Sequence, residues 1–304
     1  MGWMDFFTGR RAAPDAVPAA RIERERMLAS LLVMAWVVEA RDPYTGGHLW
    51  RVSRYAALLC ERAGIGVEEC ARIAIGGFLH DLGKVGIPDA ILRKRERLSE
   101  DEYAVIKTHP SVGARMLAGH PLAALVLDAV LLHHETPDGR GYPRGLSAEQ
   151  IPLAARIVGL CDAFDAMTST RPYRSGMPIA AALGQIEAGA GRQFDTTLAA
   201  HFLDLGRAGL LAHIAGHSDD GIPLQDCLMC GPTLVVRREQ HGGDAVFCRN
   251  CGGAYRLEGG HDDAPLKAVA TGAQGSPAEL EPLADTELIG RFVRDTAQRA
   301  LAAA

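Results

Sequence analysis

The residues best suited to do chemistry are His48, the doublet His80-Asp81, His109, the doublet His133-His134, and Asp162. Imidazoles and carboxylates with no thiolate among them suit iron, manganese or zinc rather than calcium or a metal selected by sulfur. A carboxylate has two oxygens, so Asp81 can bridge two cations. A bridged pair of cations is a device for polarising a phosphoryl group and preparing water to attack it. Lys84 follows His80 by four residues and Asp81 by three, which on a helix puts its ammonium on their face, ready for a phosphate.

The elements that must position these side chains follow from the apolar spacing. Glu68 to Lys84 carries Ala71, Ile75, Phe78, Leu79 and Leu82 at three-and-four spacing. That pattern predicts an amphipathic helix with His80 and Asp81 near its C-terminal end and Gly83 as terminator. Consecutive helical residues point about 100° apart, so the doublet reaches two sides of one site. Leu122 to Glu135 reads as a second apolar helix ending in His133-His134, just before the helix-breaking run Pro137-Asp138-Gly139. His109 precedes Pro110, which predicts an extended residue at a helix boundary. Asp162 lies at the start or middle of another helix, in the string CDAFDAM, with Asp165 one turn on.

Together these segments resemble the HD-GYP phosphodiesterases, a branch of the HD superfamily that hydrolyses cyclic dinucleotides, above all cyclic di-GMP. The strings that carry the resemblance are ARDPYTGGH (Ala40 to His48), HDLGKVGIPDAIL (His80 to Leu92), HPSVGARML (His109 to Leu117), HHETPDGRGYPRGL (His133 to Leu146) and CDAFDAMTSTRPYR (Cys161 to Arg174). They stand in the family's order between about Met27 and Leu205, and Gly141-Tyr142-Pro143 is the tripeptide in the family's name. The resemblance implies that His48, His80, Asp81 and Asp162 surround one metal, and that Asp81, His109, His133 and His134 surround the other. It further implies a hydroxide between two iron or manganese ions attacking phosphorus in line, with Lys84 holding a non-bridging oxygen. Arg171 and Arg174 become candidates for the second phosphate or a guanine, and Tyr142 for stacking or hydrogen bonding at the entrance. The plainer reading of the tripeptide is a rigid turn that touches no substrate. Members with three metals carry a glutamate four residues before the first histidine, where this chain has Tyr44, so two metals are expected. Thr136 and Thr170 also depart from the family's usual residues and bear on substrate contacts and turnover rather than on metal ligands.

A second constellation is independent of the first. Cys227-Leu-Met-Cys230 and Cys248-Arg-Asn-Cys251 have the spacing of a four-thiolate zinc site, each followed by a glycine, Gly231 or Gly252, as a tight knuckle requires. Thr233 to Glu239 alternates like a strand, His241 to Asp244 reads as a turn, and Ala245 to Phe247 leads back. This resembles a zinc ribbon whose structural metal replaces a core, leaving His241 no place on the ion. A redox dithiol is the runner-up. Cys60, Cys70 and Cys161 read as buried thiols.

The expected fold class is mainly α: an HD-superfamily helical bundle, a small β zinc ribbon and a C-terminal helix. Residues 1–26 read as a lead-in, 27–211 as the HD-GYP domain, 212–226 as a linker, 227–258 as the ribbon and 259–304 as a spacer and final helix. In that last part Ser276-Pro277-Ala278-Glu279 fits a capping box, and Ala284, Leu288, Ile289, Phe292, Val293 and Ala297 make an apolar stripe that must dock on its own domain or on a partner. A net charge of −5 speaks against a general nucleic-acid surface. The apolar stretch Leu28 to Val38 is shorter than the ~20 residues that span a bilayer, and residues 1–26 lack the apolar centre of a signal peptide, so a cytoplasmic protein is expected. The leading expectation is a phosphodiesterase opening cyclic di-GMP to linear pGpG and on to GMP. The alternative is a weakly catalytic cyclic-dinucleotide adaptor acting on a protein partner through the ribbon or last helix. An HD hydrolase of other nucleotides is disfavoured by the GYP and RPYR strings.

Overall fold

The computed structural model describes residues 19–42, 46–94, 96–170, 174–260 and 265–300. Tyr44 and Arg171 fall outside these, as does the lead-in up to residue 18.

Leu28, Leu31, Leu32, Ala35 and Val38 recur at helical spacing and bury one face of α1 (Ala19–Glu39), which starts eight residues ahead of the expected domain boundary. The centre is made by α2 (His48–Arg62) and α3 (Val67–Leu79), which pack on each other. The helical part continues through α4 (Asp89–Leu92), α5 (Glu100–Ile106), α6 (His109–Leu117), α7 (Ala123–Leu132), α8 (Leu153–Thr168), α9 (Ile179–Gly189) and α10 (Thr196–Arg207). From Ile73 to Leu79 α3 is buried on every side, because α2, α7 and α8 surround it. Edge-to-face contacts of Tyr55 on Phe164 and of Phe164 on Phe202, with ring centroids 5.2 and 4.9 Å apart, tie α2, α8 and α10 together. Among the described residues no helix is long and apolar enough to cross a membrane.

The chain then turns to short antiparallel strands. β1 (His217–Asp219) pairs with β2 (Ile222–Pro223), and β3 (Gln225–Cys227) pairs with β4 (Gly231–Leu234). β5 (Ala245–Phe247), β6 (Gly253–Glu258) and β7 (Lys267–Gln274) form a three-stranded sheet in that order. Three boundaries differ from expectation. The stretch 212–226 is no free linker, since β1, β2 and most of β3 lie in it. The strand expected over Thr233 to Glu239 stops at Leu234 because its partner β3 is only three residues long, although Leu234 and Val236 stay buried in alternation. The expected spacer contains β7, a strand whose residues are nearly all exposed. Its pairing with β6 rests on backbone hydrogen bonds, so no apolar alternation announced it.

The capping box forms, with Ser276 and Glu279 bonded to each other, yet it heads only a turn. Pro282 would fall inside any helix begun there, removing a ladder hydrogen bond and clashing with the preceding turn. The last helix, α11 (Thr286–Ala300), starts later, where the Asp285 side chain accepts the Leu288 amide at 2.8 Å. Its stripe of Leu288, Ile289, Phe292, Val293 and Ala297 is buried against α1 and α3, with Phe292 5.0 Å from Phe78. At roughly 1.5–3 kcal/mol for each large apolar side chain, that contact is what makes the helix stable, and its apolar face is spent on its own chain.

Candidate metal centre

Five histidines and two aspartates arrive at one place from five elements. His48 opens α2; His80 caps α3 and Asp81 follows it; His109 opens α6; His133 caps α7 and His134 follows it; Asp162 lies in mid-α8. Three overlapping groups have all their ligand atoms within 4.8 Å of one another: His48, His80 and Asp162; His80, Asp81 and His133; and His109, His133 and His134. Asp81 stands between. Its Oδ2 is 3.5 Å from His48 Nε2 and 3.4 Å from His80 Nε2, and its Oδ1 is 3.3 Å from His109 Nε2. Asp162 Oδ1 is 3.5 Å from His48 Nε2 and 3.8 Å from His80 Nε2. Two donors each ~2.1 Å from a common cation stand ~3–3.5 Å apart, so most of these separations match shared ligation. Asp81 faces histidines of both expected ligand sets, and the group of His80, Asp81 and His133 itself draws a histidine from each.

Four of the imidazoles are turned by the same device. Nδ1 of His80, His109 and His133 faces the carbonyl of Gly77, Ile106 and Ala129, at 2.7, 2.8 and 2.9 Å. His48 Nδ1 faces the Asp165 carboxylate at 2.8 Å. An acceptor on Nδ1 keeps a proton there, so Nε2 is the nitrogen each ring turns inward, and in the neutral ring it carries the lone pair. The consequence is visible in two places. His109 Nε2 and His133 Nε2 face each other at 3.2 Å, and His80 Nε2 is buried without a hydrogen-bond partner. Nε2 atoms converging in a buried site are the arrangement that a cation can hold together.

The electrostatics divide the same way. Burial pushes His80 down, but Asp81 and Asp162 outweigh it and hold its pKa up at about 10. Burial lowers His109 and His133, and brings His134 down to about 4. Burial works against ionised Asp81 as well, and Lys84 with His80 overcomes it, so the carboxylate stays charged. The Lys84 ammonium lies 2.6 Å from Asp81 Oδ2, on the face its spacing predicts.

Gly83 does not terminate α3. That helix ends at Leu79, a 3-10 turn over Leu82–Gly86 follows, and Gly83 lies outside the left-handed region. A Cβ there would sit 1.9 Å from the His109 carbonyl oxygen and 2.5 Å from Gly113 N, so glycine lets the two histidine-bearing segments touch. His109 is likewise not extended but the first residue of α6. Pro110 comes second, where its missing N–H would have gone unbonded anyway.

The Gly141-Tyr142-Pro143 loop is tied back to the histidine doublet. Tyr142 N donates to the His134 carbonyl at 3.1 Å, and the Tyr142 ring stacks on His134 with centroids 4.6 Å apart. Glu135 holds the loop's far side, accepting from Arg144 N at 2.6 Å and Leu146 N at 2.8 Å. A cleft of about 520 Å³ opens beside it, lined by His133, His134, Tyr142, Asp162 and the cations Lys107, Arg140 and Arg156. Arg174 is placed differently: its guanidinium donates to the carbonyls of Ala166 and Met167 at the end of α8 and is absent from the described lining of that cleft. Thr136 Oγ1 donates to Asp138, and Thr170 Oγ1 accepts from Gly176 N, so both are occupied in loop structure.

Sequence reasoning passed over the support behind the ligands. Asp165 is fully buried and accepts from His48 Nδ1 and, through both oxygens, from the Arg51 guanidinium at 2.6 and 3.0 Å. Their spacing gave a signal, since Arg51 follows His48 and Asp165 follows Asp162 by three, one helical turn each.

The four cysteines of the second constellation also converge, with all sulfurs within 4.8 Å. Gly231 and Gly252 both have φ of 76°, as the knuckles require. Asn250 Nδ2 donates to Cys230 Sγ at 2.8 Å, and the Tyr255 hydroxyl to Cys227 Sγ at 3.2 Å. Burial opposes a Cys227 thiolate, but Tyr255 and a backbone amide prevail and lower its pKa to about 7. Cys60, Cys70 and Cys161 are buried thiols, as expected.

Residues 32–198 match a family model described as HD domain. Over 175 residues the chain is 45% identical to the cyclic di-GMP phosphodiesterase response regulator RpfG of Xanthomonas campestris pv. campestris, an alignment covering 57% of this chain and 46% of that protein. It is 37% identical over 186 residues to a cyclic di-GMP phosphodiesterase of Thermotoga maritima, covering 60% and 50%. It is 36% identical over 151 residues to 3'3'-cGAMP-specific phosphodiesterase 3 of Vibrio cholerae, covering 50% and 33%. The chain thus spans half or less of the length of these relatives.

Proposed function

The chain belongs to the HD-domain family, and we propose that it is a metal-dependent phosphodiesterase of the HD-GYP branch. Its substrate in this reading is cyclic di-GMP, opened to linear pGpG and cut again to GMP. The observation that carries the reading is Asp81, whose two oxygens face different histidines of one buried cluster. His48, His80, Asp81 and Asp162 would hold one divalent cation, and Asp81, His109, His133 and His134 the other, with iron or manganese suited to this nitrogen and oxygen set. Bound there, the two cations supply Lewis-acid polarisation of the phosphoryl group and an acidified water as nucleophile.

The chain's own residues do the rest. Lys84, beside Asp81, neutralises charge on the phosphate under attack. Tyr142 offers a ring at the mouth of the cleft, and Lys107, Arg140 and Arg156 replace Arg174 as the cations for the second phosphate. Arg156 is paired with Asp195 at 2.7 Å, so it is held in place before substrate arrives. Cys227, Cys230, Cys248 and Cys251 would hold one structural zinc, all four positions being filled by sulfur.

The test is direct. Purified chain with manganese, or with ferrous iron under anaerobic conditions, is incubated with cyclic di-GMP or 3'3'-cGAMP, and products are separated by chromatography. Metal-dependent release of pGpG from cyclic di-GMP, lost in Asp81→Ala, supports the proposal. Tight nucleotide binding with no product refutes it in favour of an adaptor, and preferential cleavage of 3'3'-cGAMP refutes the substrate.

A further inference from the structure

The Arg51 side chain is 1% exposed, and each of its N–H groups has a place to go. Nε donates to Asp165 Oδ1 at 2.6 Å, and Nη2 donates to Asp165 Oδ2 at 3.0 Å and to Ser169 Oγ at 3.1 Å. Nη1 donates to the Gly46 carbonyl at 2.8 Å and to the His217 carbonyl at 2.9 Å. A guanidinium has five N–H donors, and five acceptors surround this one. Four belong to the helical domain. The fifth, His217, belongs to β1, the strand that leads into the cysteine module. Because Asp165 also accepts from His48 Nδ1 at 2.8 Å, a continuous buried path runs from β1 through Arg51 and Asp165 to a ligand of the metal centre.

The same strand is pressed against the residues that introduce His48. A Cβ on Gly47 would lie 2.6 Å from Ser218 Cα, and one on Gly46 would lie 2.5 Å from Val235 Cγ2. Ser218 Oγ reaches the carbonyls of Ile222 and Val236, so β1, β2 and the chain beyond β4 form one seat. The seat is clamped by Asp219, a buried carboxylate bonded to Arg238 and to Arg291 of α11.

We propose that the cysteine module is a positioning element of the metal centre, with Arg51 as the residue that carries its seating to His48. Loss of the module's metal, or loosening of the Asp219 clamp, then weakens divalent-cation binding at a centre that neither of them touches. The inference rests on the centre binding metal and is independent of which cyclic dinucleotide is cleaved.

The test is a manganese titration of the full chain, read as free Mn(II) by electron paramagnetic resonance, with helix content followed by circular dichroism. Asp219→Asn loosens the clamp and the double variant Cys230→Ser/Cys251→Ser disturbs the module, and neither changes a residue of the metal centre. Each is expected to weaken Mn(II) binding about tenfold, the lower end of what loss of an outer-shell partner costs, with helix content unchanged. Arg51→Lys keeps a charge beside Asp165 but gives up the fork, and is expected to weaken binding by about 10- to 100-fold. Module variants that bind Mn(II) as tightly as the parent overturn the proposal, even where Arg51→Lys is weak, because Arg51 would then act within its own domain alone. A parent chain that binds no Mn(II) overturns the reading of the centre and this inference with it.

Discussion

Asp165→Asn is the sharpest perturbation of the centre because it changes no ligand and almost no volume. The carboxylate accepts from His48 Nδ1 at 2.8 Å, from Arg51 Nε at 2.6 Å and Nη2 at 3.0 Å, and from Ser169 Oγ at 3.2 Å. An asparagine has one oxygen and one NH2 group. If the oxygen stays on Arg51 Nε, the NH2 faces His48 Nδ1, the imidazole must move its proton to Nε2, and its lone pair turns away from the cluster. If the amide flips, two donors meet at the Arg51 position instead. Either way the guanidinium keeps its charge in a buried place without its carboxylate, which costs about 3–5 kcal/mol. Metal affinity falls with the wrong tautomer by about 10- to 100-fold. Urea unfolding measures the first effect and Mn(II) titration of the folded protein the second. An Asp165→Asn chain that binds Mn(II) like the parent would refute the claim that the Nδ1 acceptor directs the ring.

Further outcomes follow from single close contacts. Gly83→Ala should destabilise the chain by about 3 kcal/mol or more in chemical denaturation, since the new methyl meets the α6 backbone at His109 and Gly113 and no flexible side chain can yield. Burial raises the Glu39 pKa to about 7 from an ordinary 4.5, against the opposing pull of His48 and the Leu49 amide. The folded chain therefore keeps, between about pH 4.5 and 7, a proton that the unfolded chain has lost, and stability falls as pH rises through that window. Glu39→Gln, which can still accept from Leu49 N, should raise the melting temperature of the metal-free chain at pH 8 and leave it unchanged at pH 4. If the four sulfurs hold one zinc as proposed, Cys248→Ser should remove that equivalent, read by elemental analysis of purified protein. Retention of a full equivalent would contradict four-sulfur ligation.

The candidate centre was legible chiefly through His80, Asp81, His133 and His134, polar residues that close the apolar helices α3 and α7, where spacing says which way they face. What stood behind the ligands was harder to read. Three of the Nδ1 acceptors are backbone carbonyls of Gly77, Ile106 and Ala129, three or four residues before their histidines. Every residue type carries a carbonyl, so no residue letter records this contact. From the sequence Gly83 reads as a helix terminator, because that is the commonest reason for a glycine after an apolar helix. Its actual constraint comes from His109 and Gly113, more than 25 residues away, which only the folded chain brings near.

The C-terminal region shows the opposite balance, with chemistry plain and architecture hidden. Two CxxC pairs announce a four-sulfur site through spacing, yet β7 was invisible, since a strand exposed along nearly its whole length is held by hydrogen bonds that any sequence can make. The seat of β1 on Gly46 and Gly47 was equally hidden, because glycines mark a close approach without naming the partner. Glycines ahead of His48 give that turn conformational freedom, which the packing of β1 against them takes away. If the helical domain were complete in itself, Arg51 would find all its acceptors within it; one of the five is instead the His217 carbonyl, so the cysteine module supplies part of the order on which His48 depends.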